Sequence, residues 1–189
     1  KVFIQSDVTN DPDLFARNPG WHLMFDQDPV QAEATRRKVY DMIAPSLPKG
    51  PDGLIERADL EPHAGAIDAA DLVLMRTGWS QQRGTNPTLY VEQNPMLHPS
   101  GAGYLLETFP GLRGIAIDAP SIGSPNKFDE TVETHRLLTG AVRGDGRFII
   151  ILEDLRIDAD LGAARRIYAW PLFIEGSDGS PCTIVAEFE

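Results

Sequence analysis

The chain reads RGIAIDAPSIG from Arg113 to Gly123, ETHRLLTG from Glu133 to Gly140, and RFIIILEDL from Arg147 to Leu155. The first run is apolar up to Ile117 and breaks at Asp118, Ala119, Pro120 and Ser121, the pattern of a buried strand entering a loop. In the segment that follows, Phe128, Val132, His135 and Leu138 recur at intervals of four, three and three. That spacing predicts a helix with His135 on its buried face. Phe148 to Leu152 are five consecutive apolar residues, three of them β-branched, which predicts a strand covered on both faces. It ends at Glu153 and Asp154. A carboxylate just past the end of a buried strand stands where open α/β sheets place their ligands.

Outward from this centre, helices and strands interleave. Val2–Ser6 and Val39–Ala44 read as strands, Val8–Asp28 as loop and Gln31–Lys38 as a short helix. Glu56–Ala66 reads as a weak helix interrupted by Pro62 and Gly65. Leu72–Met75 reads as a buried strand, and Ser80–Pro99 as a polar loop. The clearest helix starts at Ser100 as its cap and carries Ala102, Leu105, Leu106 and Phe109 at i, i+3, i+4 and i+7. Asp158–Arg166 follows as a short helix. Tyr168–Ile174 and Cys182–Phe188 read as strands joined by a turn rich in Gly, Asp and Pro. The interleaving predicts one α/β domain over residues 1–189, with a mixed sheet and helices packed on it.

A chain of 189 residues with 42% hydrophobic content suits a single folded core. The balance of 28 acidic against 17 basic residues, a net charge of −11, argues against nucleic acid or an anionic membrane as partner. No apolar run is long enough to span a bilayer and no signal-peptide pattern is present, so the reading places the chain in the cytoplasm. The single cysteine, Cys182, leaves no internal disulfide and reads as a buried structural thiol.

Four histidines bear on chemistry. His63 and His98 each adjoin a proline in turn-like sequence and read as surface residues. His22 precedes Asp26 by four residues, a spacing that could supply two metal ligands but arises readily in an Asp-rich loop. His135, placed inward, must pair its ring nitrogens or meet a metal. Glu153 at a strand end likewise needs a partner. There is no Gly-x-Ser-x-Gly elbow, dinucleotide fingerprint or phosphate loop. No catalytic residue is assigned on spacing alone.

Six stretches then fall in a telling order: DLVLMRTGW at 71–79, GIAIDAPS at 114–121, THRLL at 134–138, ILEDL at 151–155, PLF at 171–173 and DGSPCTIVA at 178–186. In that order they resemble the cyclase-like metal-dependent hydrolases, the family of bacterial kynurenine formamidase and isatin hydrolase. The resemblance runs from about residue 39 to 187 and leaves 8–38 divergent or shortened. It implies a swivelling β/β/α fold, a homo-oligomer, and hydrolysis of a small-molecule amide or lactam C–N bond at a zinc or manganese ion. By the same resemblance, the histidine of THRLL and the glutamate of ILEDL are metal ligands, here His135 and Glu153, with Asp118 to Ser121 beside them.

The family's HxGTHxDxPxH signature, which supplies the other ligands and a catalytic histidine, is absent; between Val8 and Lys38 the only histidine is His22. Two readings follow. In one the chain is a hydrolase whose remaining ligands come from His22 and Asp26, another subunit or a further segment. In the other it is an impaired pseudoenzyme that keeps the fold for binding or assembly. Two ligands alone make a weak site, so the chain as written is expected to hold metal poorly, with His135→Ala acting mainly on stability.

Overall fold

The computed structural model describes residues 2–5, 39–42, 50–157, 164, 166–172, 174–175 and 179–188. The expected Val8–Asp28 loop and Gln31–Lys38 helix lie outside them, as does most of Asp158–Arg166.

The centre is a four-stranded parallel sheet in the order β2-β4-β6-β7, formed by β2 (Val39–Met42), β4 (Leu72–Met75), β6 (Gly114–Ile117) and β7 (Ile150–Leu152). LVLM and GIAI carry no alternation because both of their faces are covered. Their residues still divide by side. Val73, Met75, Ile115 and Ile117 pack into the core beneath the helices. Leu74 and Ala116 pack the other way, against Cys182, Ile184 and Ala186.

Those last three lie on β9 (Cys182–Glu187), the middle strand of a separate antiparallel sheet, with β1 (Val2–Gln5) on one side and β8 (Arg166–Pro171) on the other. Alternate β9 residues are buried, as expected for a strand with one covered face. The layers are therefore sheet, sheet and helices. Parallel and antiparallel pairing fall into separate sheets: the parallel strands are joined by long crossovers, while β8 and β9 return on one another directly. A short parallel pair, β3 (Leu54–Ile55) with β5 (Met96–Leu97), lies apart from both.

In the helical layer, the interrupted 56–66 segment resolves into α1 (Arg57–Leu60), a single 3₁₀ turn at Glu61–His63, and α2 (Ala64–Asp68). The 80–99 stretch is not plain loop. It contains α3 (Gln82–Thr85), α4 (Pro87–Glu92) and β5, elements too short to show a hydrophobic period. α5 spans Pro99–Thr108 and buries Ala102, Leu105 and Leu106, with Phe109 buried just beyond its end. Its cap is His98 rather than Ser100. Pro99 takes the first helical position, so the cap lies two residues earlier than expected, and the His98 Nδ1 lone pair accepts from the Ser100 N–H at 3.2 Å.

α6 (Phe128–Leu138) has the expected extent but not the expected face. Phe128 is 70% exposed and Val132 37%, whereas Thr134 and Leu138 are buried. Thr134 can face inward because its hydroxyl donates to the Leu97 carbonyl at 2.9 Å. His135 therefore stands on the flank of the helix, partly exposed. β7 also departs from expectation. As the edge strand it is covered along the face of Ile149 and Ile151, but on its other face only Leu152 is packed, leaving Phe148 and Ile150 exposed.

Candidate functional site

Parallel strands present their C-terminal ends on one side of the sheet. This brings Thr77 and Gly78 after β4, Asp118 to Ser121 after β6, and Glu153 and Asp154 after β7 to a common edge. Residues 149, 151 and 153 share the helix-facing side of β7's line. That places Glu153 toward α6, and the His135 Nε2 lies 3.5 Å from the Glu153 Oε1. The two residues singled out in the sequence do meet.

Each is held by its own partners. The His135 Nδ1 is 2.8 Å from the Thr131 carbonyl oxygen one turn earlier. A carbonyl only accepts, so Nδ1 carries the hydrogen and Nε2 is left with its lone pair or a second proton. The Glu153 Oε1 accepts from the Ile122 N–H at 2.7 Å and the Ser121 hydroxyl at 3.1 Å. The loop that donates these bonds is pinned in turn. Asn94, fully buried, donates from Nδ2 to the carbonyls of Pro95, Ser121 and Gly123. The Thr131 hydroxyl donates to the Ser124 carbonyl and accepts from the Ser124 N–H. Gly123 is required here, since a Cβ would sit 2.2 Å from the Thr131 methyl.

Asp118 does not face the His135–Glu153 pair as a free carboxylate. It is buried, and it accepts from the Thr77 N–H (2.7 Å), the Thr77 hydroxyl (2.6 Å) and the Gly78 N–H (2.8 Å). Its task is to brace the loop after β4 against the loop after β6. Gly78 turns with φ of 77°, the left-handed region that glycine enters without steric cost. Sequence patterning gave no sign of Thr77, Gly78 or Asn94 as partners, because all three act through contacts distant in the chain.

The pair at the centre shapes its own titration. The hydrogen bond and charge of Glu153 raise the His135 imidazole above its ordinary value, against burial, which lowers it. Burial alone would raise Glu153, but His135, the Ile122 N–H and the Ser121 hydroxyl outweigh it and hold the carboxyl below its ordinary value. A raised histidine stabilises the fold fully below its unfolded value of about 6.5, and that contribution fades as pH climbs through the folded value. A lowered carboxyl contributes above about 4.3 and is lost as pH falls further. In metal-free protein, His135→Gln should therefore cost more near pH 5.5 than near pH 8.5, by less than about 1 kcal/mol because both groups are partly exposed. Urea denaturation of chelator-treated protein at the two pH values checks this; an equal or reversed difference would refute it.

The donor set can be weighed against a metal. Two donors on one zinc ion, each about 2.0–2.2 Å from it, stand apart by roughly the distance seen between His135 and Glu153. The Thr131 carbonyl fixes the tautomer a ligand needs. The pair thus fits two positions of a metal site. Among the described residues no group of three or more His, Cys, Asp or Glu side chains converges. His22 and Asp26 lie outside the described residues.

The other sequence candidates have structural roles or none visible. His98 caps α5, and His63 lies in a surface turn. Cys182 packs between the sheets, where burial pushes its thiol up to about 11, so it is a poor nucleophile at neutral pH. No helix among the described residues is long and apolar enough to cross a membrane.

A family model described as "Putative cyclase" matches residues 5–124, from the end of β1 to the loop before α6. An uncharacterized protein of Haemophilus influenzae is 31% identical over 80 residues; the match takes in 42% of this chain and 56% of that relative, so the chain spans little more than half of the curated protein it matches. Among solved structures, a predicted metal-dependent hydrolase from Bacillus stearothermophilus is similar with a TM-score of 0.57 and 22% identity, covering 88% of this chain and 70% of that one. Isatin hydrolase A from Labrenzia aggregata is similar with a TM-score of 0.61 and 23% identity, covering 82% and 62%. A structure named as a potential metal-dependent hydrolase with cyclase activity has a TM-score of 0.55 and 23% identity, covering 80% and 63%. At these identities the three likenesses bear on the fold.

Proposed function

Because this chain belongs to the Cyclase family, we propose that it is a metal-dependent hydrolase of a small-molecule amide or lactam C–N bond. One observation carries the reading. With Nδ1 committed to Thr131, the His135 Nε2 turns a lone pair toward a carboxylate oxygen 3.5 Å away. Two electron-rich atoms at that separation call for a cation between them, either a proton on the imidazole or a metal ion. The names of two structural relatives, one a predicted and the other a potential metal-dependent hydrolase, support the second choice.

In this reading His135 and Glu153 hold a zinc or manganese ion, with further donors from His22 and Asp26 or from a second copy of the chain. The metal, when bound, polarises a carbonyl and lowers the pKa of an attacking water. The chain's own contribution is preorganisation. Thr131 fixes the His135 ring, while Ser121 and Ile122 hold the Glu153 oxygen that faces it. Asp118 ties the loop after β4 to the loop after β6.

The test is Mn²⁺ titration of chelator-treated protein followed by electron paramagnetic resonance, beside assays with N-formylkynurenine and isatin. With those further donors in place the expected result is one Mn²⁺ per chain, held more tightly than two ligands alone would allow, and hydrolysis that appears only with metal. Metal bound without turnover of any amide or lactam would favour the binding or assembly reading. No binding at millimolar Mn²⁺ would end the metal reading itself.

A further inference from the structure

The residue after Glu153 is not accounted for by any role above. Asp154 has a φ of 58°, a left-handed conformation that few residues besides glycine, asparagine and aspartate adopt and that specific contacts can hold in place. Here they do. The Tyr90 hydroxyl donates to Asp154 Oδ1 at 2.5 Å, and Arg83 Nη2 lies 2.8 Å from Asp154 Oδ2. Tyr90 is itself buried and held from behind, its carbonyl accepting from the Trp79 indole N–H at 2.9 Å. Burial and the neighbouring Asp154 carboxylate both push the Tyr90 phenol upward, so it remains a donor throughout the working pH range.

The backbone shows what this clamp does. Pairing of β7 with β6 ends at Leu152 opposite Ala116. Beyond it the Asp154 N–H donates to the Ala119 carbonyl at 2.7 Å, while the Leu155 N–H reaches back to the Ile117 carbonyl at 3.2 Å. The chain doubles back at Asp154, one residue after Glu153 has left the ladder. The direction of the Glu153 side chain is therefore set on one side by the last strand residue and on the other by the left-handed turn.

We propose that Asp154 is a positioning residue: its clamp by Tyr90 and Arg83 holds the Glu153 carboxylate on the Ser121–Ile122 loop, facing His135. The proposal concerns the site put forward above, and its geometric part is tested apart from metal. The Ile122 amide is a direct reporter, since its hydrogen bond is accepted by Glu153. Hydrogen exchange of Ile122 is compared with the amides of β6 in the full chain and in Tyr90→Phe, Asp154→Gly and Asp154→Asn. Glycine keeps the turn but removes the carboxylate; asparagine tolerates the turn and keeps an acceptor for Tyr90.

Tyr90→Phe and Asp154→Gly should speed Ile122 exchange about tenfold relative to β6, the loss of roughly one ordinary hydrogen bond. Asp154→Asn should fall between the parent and these two, since its oxygen keeps Tyr90 while its NH₂ opposes the Arg83 guanidinium. Mn²⁺ affinity should fall by about 10- to 100-fold in the first two variants, as it does when the partners that orient a ligand are removed. Ile122 exchange that follows β6 in every variant, a purely structural effect, would overturn the proposal. If Ile122 responds as expected while the parent protein takes up no Mn²⁺, the positioning role stands and the metal reading falls.

Discussion

Asp118→Ala is expected to destabilise the fold by about 3–5 kcal/mol, the scale seen when one partner of a buried charged network is removed. Three donors lose their acceptor at once: the Thr77 N–H, the Thr77 hydroxyl and the Gly78 N–H. The damage extends further, because the Thr77 hydroxyl also accepts from the Trp79 N–H at 3.2 Å. Water cannot readily replace the carboxylate at a position only 1% exposed. Against a typical total stability of about 5–15 kcal/mol, such a loss leaves a marginal protein. Asp118→Asn is the milder variant. Its oxygen can still serve Thr77, but its NH₂ then opposes the Gly78 N–H, donor against donor, so an intermediate loss is expected. Urea denaturation of the three proteins checks the order; an Asp118→Ala midpoint within error of the parent would show that the brace carries no weight.

Glu153→Gln should have the largest functional effect. Glutamine keeps an oxygen that can accept from the Ile122 N–H and the Ser121 hydroxyl, so the fold should lose only about 1–2 kcal/mol. It removes the negative charge that faces the His135 Nε2 and that a divalent cation requires. Mn²⁺ affinity should fall at least about 100-fold, or roughly 2.7 kcal/mol, with metal-dependent hydrolysis lost in parallel. Calorimetric titration beside thermal unfolding separates the two effects. Unchanged Mn²⁺ affinity in Glu153→Gln would remove Glu153 from the ligand set.

Continuous apolar runs made the central sheet readable. Leu72–Met75 and the Gly114–Ile117 core of the Arg113–Asp118 run are strands because nothing but burial on both faces suits such sequences. The meeting of His135 with Glu153 was legible as well, through strand-end position and the ordered resemblance. The face of α6 was not. Thr134 looks polar until Leu97 offers its carbonyl, so the period seemed to run through Phe128 and Val132 instead. β7 misled for a related reason. A run of isoleucines does not say whether a strand lies inside a sheet or at its margin; strand order decides that, and order is a long-range property. Asp118, Asn94, Tyr90 and Asp154 form the frame of the site through contacts tens of residues apart, which no local pattern encodes.

The pairing of β1 with β9 has a consequence for biosynthesis. Val2 lies opposite Ala186 and Gln5 opposite Thr183, so a strand made early finds its hydrogen-bonding partner only after nearly all of the intervening chain has been translated. At about 5–20 residues per second, that wait lasts on the order of ten seconds or more. The parallel sheet can be laid down strand after strand during this time, since β4, β6 and β7 add in the order in which they emerge. β1 cannot join its own sheet and stays an open edge, the kind of segment that chaperones hold and that neighbouring nascent chains can capture. A ribosome stalled before Cys182 would therefore release a chain with its parallel sheet assembled and one face of Leu74 and Ala116 still bare.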